Sequence, residues 1–127
     1  MIDKQTVDKW LQDYVSAWKT YEPEAIRALF TEDAGYRFNP YDDPVKGREE
    51  IVANWLEEKD KPNTYDAEYK AIAVDGNTGV AQGRTLYYKD DSKTLEREFD
   101  NIFVLQFADD GRCADFCEWY MQPRGQR

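Results

Sequence analysis

Near residue 62 the hydrophobic rhythm of the chain changes from a helical period to a strand period and never changes back. Before that point, Val7, Trp10, Leu11, Tyr14, Val15 and Trp18 recur at three- and four-residue spacing, which predicts an amphipathic helix from Asp3 to about Thr20. Pro23 suits a first helical turn, so a short second helix is expected from Pro23 to Phe30, ended by Thr31-Glu32-Asp33-Ala34-Gly35. Tyr36-Arg37-Phe38 reads as a short strand before the proline-rich loop at Asn39–Pro44. A third helix is expected from about Gly47 to Lys59, with Ile51, Val52, Trp55 and Leu56 inward. Beyond Asn63, four strands follow at Thr64–Val74, Thr78–Lys89, Thr94–Phe107 and Arg112–Met121. The turns between them are Asp75-Gly76-Asn77, Asp90-Asp91-Ser92 and Ala108-Asp109-Asp110-Gly111. Helices first and strands last predict an α+β fold, an antiparallel meander with helices on one face. At 127 residues the expectation is one domain over 1–127, with a loose tail from about residue 123.

Charge and residue types narrow the function. A net charge of −9 repels phosphate backbones and anionic lipid surfaces, so neither nucleic acid nor membrane is an expected partner. The chain has no His, which removes the commonest metal ligand and the commonest general base near neutral pH. Proton transfer would then fall to carboxylate, Tyr, Lys, Cys or water. Cys113 and Cys117 on one strand would lie roughly 13 Å apart at about 3.3 Å per residue, beyond disulfide reach. Reduced thiols and an N-terminus without an apolar core give the expectation of a cytoplasmic protein. The acidic pairs Asp42-Asp43, Asp90-Asp91 and Asp109-Asp110 read as turn residues, and no metal or cofactor is expected.

Three motifs, in this order and spacing, carry a resemblance: Ala28-Leu29-Phe30-Thr31-Glu32-Asp33-Ala34, then Lys46-Gly47-Arg48-Glu49-Glu50-Ile51, then Phe107-Ala108-Asp109-Asp110-Gly111-Arg112. The chain resembles the nuclear transport factor 2-like (cystatin-like) superfamily in its SnoaL-like branch. That resemblance implies a cone-shaped, curved antiparallel sheet wrapped by three N-terminal helices around one pocket, usually in a homodimer. It also implies a range of functions, from ketosteroid isomerases, cyclases and dehydratases to non-catalytic binding domains. Laid on the ketosteroid isomerases, the family's phenolic donor falls on Tyr14, its base carboxylate on Phe38 and its protonated carboxyl on Phe103. Phe moves no proton, so steroid isomerisation by that mechanism is not expected.

The resemblance also implies which strand faces point inward. On the third long strand the inward set would be Phe99, Asn101, Phe103, Leu105 and Phe107, which the alternation itself supports. A register shifted by one would bring in Asp100 instead of Asn101. On the last strand the inward set would be Phe116, Glu118 and Tyr120, with Cys113, Cys117 and Trp119 outward on a face suited to a dimer. Glu118 among aromatic rings would be desolvated into a usable acid or base. The competing reading pairs it with Arg84 or Arg37 as a sheet anchor. Tyr14, Asn101 and Tyr36 would supply directional hydrogen bonds, and Phe38 lies beside them. Trp18, Trp55 and Tyr87 or Tyr88 would be pocket walls, or simply core. The expected function is a domain that binds a small apolar or aromatic ligand. The alternative is an isomerase, cyclase, dehydratase or hydrolase working through Glu118.

Overall fold

The computed structural model describes residues 1–90 and 92–125, so Asp91 of the second turn and the tail residues Gln126 and Arg127 lie outside it. Among the described residues three helices, α1 (Lys4–Thr20), α2 (Pro23–Arg27) and α3 (Arg48–Glu57), accompany six strands. These are β1 (Phe30–Arg37), β2 (Val45–Lys46), β3 (Tyr65–Asp75), β4 (Thr78–Tyr88), β5 (Leu95–Phe107) and β6 (Cys113–Met121). They form one curved, unclosed sheet in the order β2-β1-β6-β5-β4-β3. This α+β architecture is the one expected from the change of period.

Helix α1 begins at Lys4, one residue after the start expected from the period. Asp3 caps it by accepting from the Thr6 backbone N–H at 2.8 Å, which satisfies one of the helix's free donors. The helix ends at Tyr21, held in the left-handed region at φ 54°. Tyr21 keeps that conformation while its hydroxyl accepts from the Asp60 backbone N–H (2.9 Å) and the Trp18 indole N–H (3.1 Å). The end of α1 is thus tied to the loop after α3.

Two expectations need correction. The second helix stops at Arg27, and the stretch from Phe30 through Gly35 is strand rather than helix end and turn. The cause is a distant partner. The Leu29 carbonyl accepts from the Cys113 N–H and the Trp10 indole, each at 2.8 Å, and β1 then runs parallel to β6. The second correction concerns Cys113, which lies inside the core and not on the outer face. Ala114 is an extra residue opposite the step from Gln106 to Phe107, and this bulge turns Cys113 inward beside Phe107. Cys117 stays on the outer face, opposite Val104.

The inner face of the sheet is graded along its length. At one end α1 lays Val7, Trp10 and Leu11 over Phe107, Leu105 and Cys113, all buried. Trp10 stacks on Tyr14 at 5.2 Å and meets Phe30 and Phe107 edge-on. Towards the other end the inward positions become polar: Thr85 on β4, Asn101 on β5 and Glu118 on β6. Gly83 on β4 faces Tyr69 on β3, and the phenol packs across the glycine. A side chain at position 83 would occupy the space that the Tyr69 ring and the Glu68 carbonyl now fill.

Candidate functional site

Where the inner face turns polar, the helices and the sheet leave a cavity of about 580 Å³. That size suits one small organic molecule. Helices α1 and α3 form one side, through Tyr14, Trp18 and Trp55, and the inner ends of β4–β6 form the other.

Glu118 lies in the sheet wall, directly across from Phe103 and diagonal to Asn101. Its Oε2 accepts from the Asn101 amide at 2.6 Å. Arg84 and Arg37, the partners of the anchoring reading, both belong to the other face. Arg84 lies across from Asp100 with its Nε 3.5 Å from that carboxylate, and Arg37 is registered with Cys117. Among the described residues Glu118 has no ion pair within 4.0 Å. Burial without a compensating cation pushes its carboxyl up from 4.5 to about 7, and the Asn101 hydrogen bond opposes only part of that shift.

Asn101 is itself fixed from behind. Its Oδ1 accepts from the Thr85 hydroxyl at 2.9 Å, and Thr85 contacts the Tyr69 hydroxyl at 2.5 Å. Thr85 gives its single hydrogen to Asn101, so Tyr69 must donate to Thr85. The chain therefore has one polarity, from Tyr69 through Thr85 to the Asn101 carbonyl, and this leaves the amide N–H group for Glu118. Register settles the choice between the neighbours on β5: Asn101 points in, while Asp100 points out to Arg84 and Gln82.

Tyr14 forms a separate pair. Its hydroxyl lies 2.9 Å from that of Tyr36, and burial raises both phenols well above their ordinary value, with Glu118 adding to the effect. Both stay neutral at physiological pH and hold one uncommitted hydroxyl hydrogen between them. Tyr14 is thus in the cavity wall but is hydrogen-bonded to Tyr36 rather than to Asn101 or Glu118.

The other sequence-derived positions fall in three places. Trp18, Trp55, Phe99 and Tyr120 line the cavity, and Phe38 stands at its mouth, 45% exposed and edge-on to Tyr36. Phe103 and Phe116 do not line it. They are buried beneath it, where Phe116 stacks on Tyr36 at 4.3 Å. Between Tyr87 and Tyr88, Tyr87 is the wall residue, while Tyr88 donates to Asp66 at 2.9 Å. The sequence reading passed over Tyr69, Thr85, Asp60 and Arg97. Thr85 and Tyr69 share the inward parity of β4 and β3, so alternation run through the whole sheet would have found them. Asp60 sits in a loop, where no period applies.

No group of three or more His, Cys, Asp or Glu suited to a metal ion occurs among the described residues, and no described helix is long and apolar enough to cross a membrane. The family model of the SnoaL-like domain matches residues 11–116. No curated protein matches the sequence. Among solved structures, the chain is similar to an NTF-2 like protein of unknown function from Burkholderia xenovorans LB400, with a TM-score of 0.70 and 14% identity over 94% of this chain and 85% of that one. It is equally similar in fold to a "putative ketosteroid isomerase" from Kribbella flavida DSM 17836, with a TM-score of 0.70 and 15% identity over 95% of this chain and 82% of the other. At these identities the likeness is one of fold.

Proposed function

The chain belongs to the SnoaL-like domain family, and from that premise we propose that its cavity binds one small, largely aromatic or apolar molecule with Glu118 as the polar anchor. The observation that carries this reading is Glu118 itself. A carboxyl held in an aromatic cavity without an ion pair costs stability, and a ligand group placed against it would recover that cost. Ligand-dependent melting against small aromatic ketones, phenols, amines and alcohols tests the proposal. A ligand present at 100 times its Kd should stabilise the protein by about 2.7 kcal/mol. Failure of every class to shift the melting temperature at millimolar concentration would remove the proposal.

One observation favours a second reading, in which Glu118 transfers a proton. A carboxyl with a value of about 7 is poised to act as acid or base at neutral pH. Isomerisation, cyclisation, dehydration or water addition would fit such a group, with the Tyr14–Tyr36 pair as hydrogen-bond donor to a developing oxyanion. The activity in the name of the Kribbella protein does not carry over by the isomerase mechanism, because Phe38 and Phe103 stand at the carboxyl positions implied by the resemblance.

The outer sheet face is the surface we propose for self-association. Val80, Val104 and Cys117 lie in register across three strands, next to Ile102 and a Trp119 that is 44% exposed. Such a stripe is better covered than wet. Sedimentation should find a dimer that the double variant Ile102→Asp, Trp119→Asp converts to a monomer. A wild-type monomer at high micromolar concentration would refute it.

A further inference from the structure

We infer that the ligand of the cavity is a small organic cation, an ammonium group on an apolar or aromatic body, with its nitrogen against Oε1 of Glu118. This rests on the cavity being a ligand site, as proposed above. Three independent features of the wall point to it.

The first is the open acceptor of Glu118 itself. On the sheet wall the hydrogens of Tyr69 and Thr85 and one amide hydrogen of Asn101 are committed to Thr85, Asn101 and Oε2 of Glu118 in turn, while the Tyr14–Tyr36 pair and the Trp55 indole N–H keep open donors. At the mouth the Trp18 indole N–H is directed at Asp60 (3.0 Å) and Tyr21. Beside the Asn101 amide, Oε1 of Glu118 is an open acceptor, with no hydrogen-bond donor among the described residues. A ligand complementary to that wall brings hydrogens and positive charge.

The second feature is how the chain treats its own cation. Arg97 is the one cationic residue on the wall among the described residues, and its guanidinium lies over the rings of Tyr87 at 4.6 Å and Phe99 at 5.8 Å. Among the described residues its only carboxylate neighbour within 4.0 Å is the adjacent Glu96, at 3.7 Å, outside the wall. The aromatic faces at the mouth thus already hold a cation, while the deeper carboxyl has none.

The third feature is the charge along the entry route. Besides Glu118, α3 and its following loop contribute Glu57, Glu58 and Asp60 to the wall. Four carboxylates against one guanidinium, on a chain of net charge −9, concentrate cations at the mouth. Lys59 lies near the same rim but turns to the Tyr21 ring, 5.7 Å away, and is not part of the wall.

The inference fixes the sign of a proton exchange. The groups facing Glu118 are the phenols of Tyr14 on α1, Tyr36 on β1, Tyr69 on β3 and Tyr87 on β4, all raised and neutral at pH 7. Arg97, Glu57, Glu58 and Asp60 are the charged residues of the wall, and on β6 the Cys117 thiol is raised by burial and stays protonated. Burial without a cation brings Glu118 to about 7, so both its acid and its carboxylate form are populated near neutrality. An ammonium ion beside it restores the carboxylate, so binding at pH 7 releases protons. A neutral ketone or phenolate that accepts from the acid would draw a proton in instead.

The test uses 2-phenylethylamine and 2-phenylethanol, which share a skeleton and differ in the charged group. Calorimetry at pH 7 in two buffers of different ionisation enthalpy reads affinity and proton exchange together. The amine should bind at least tenfold more tightly than the alcohol, with proton release. Glu118→Gln should abolish that preference and the proton release that accompanies amine binding. Equal or tighter binding of the alcohol, or proton uptake with the amine, overturns the cation inference and leaves the cavity as a ligand site. No binding of either probe, together with no stabilisation by any compound class, overturns both.

Discussion

Glu118→Gln is expected to melt together with the wild type at pH 4 and about 10 °C above it at pH 8. The sign follows from the direction of the shift. The folded protein raises the carboxyl from 4.5 to about 7, so between those values the folded state keeps a proton that the unfolded chain releases. The contribution of Glu118 is fully present below about pH 4.5 and is lost as the pH rises through 7. At about 1.4 kcal/mol per unit, the loss is about 3 kcal/mol, or roughly 10 °C for a domain of this size. Gln does not titrate, and it retains an oxygen that can accept from Asn101. The lowered carboxyls, such as Asp66 beside Lys19 and Asp109 beside Asn77, titrate in the opposite sense. They are common to both proteins and cancel in the difference. A gap between the two melting curves that does not change with pH would mean that folding leaves the carboxyl of Glu118 at its ordinary value.

Gly83→Ala should cost at least about 3 kcal/mol, which lowers the melting temperature by about 10 °C. A Cβ at this position would sit 1.9 Å from the Glu68 carbonyl oxygen and 2.6 Å from the Tyr69 Cα. Both are backbone atoms of the neighbouring strand, so no rotamer change relieves the clash. The ladder between β3 and β4 must open, and Tyr69 moves with it. The variant should therefore lose the Tyr69–Thr85 hydrogen bond, and a ligand held by Glu118 should bind more weakly than the loss of stability alone explains. Differential scanning calorimetry gives the first quantity and ligand titration below the transition gives the second. A melting temperature within 2 °C of the wild type, against the roughly 10 °C expected, would contradict this packing.

The helices and long strands were legible because each is governed by a local period. The inward parity of β5 could be read in the same way, since Phe99 through Phe107 alternate without interruption. Contacts made far along the chain were not legible. β1 becomes a strand because β6, some eighty residues later, offers a parallel edge, and nothing near Phe30 announces it. Cys113 points inward because of one extra residue in β6, and a strict alternation placed it outside. The polar pairing also had a non-local cause. Tyr14 finds Tyr36, and Asn101 finds both Thr85 and Glu118, through the register of strands that the sequence orders but does not align.

The bulge at Ala114 has an evolutionary implication. It uncouples the phase of the two ends of β6, so the end carrying Cys113 keeps step with the α1 packing while the end carrying Phe116, Glu118 and Tyr120 keeps step with β5 independently. Substitutions at the open end can then reshape the cavity wall without disturbing how the closed end folds. Such a division would let one scaffold diversify its chemistry in steps of a single residue.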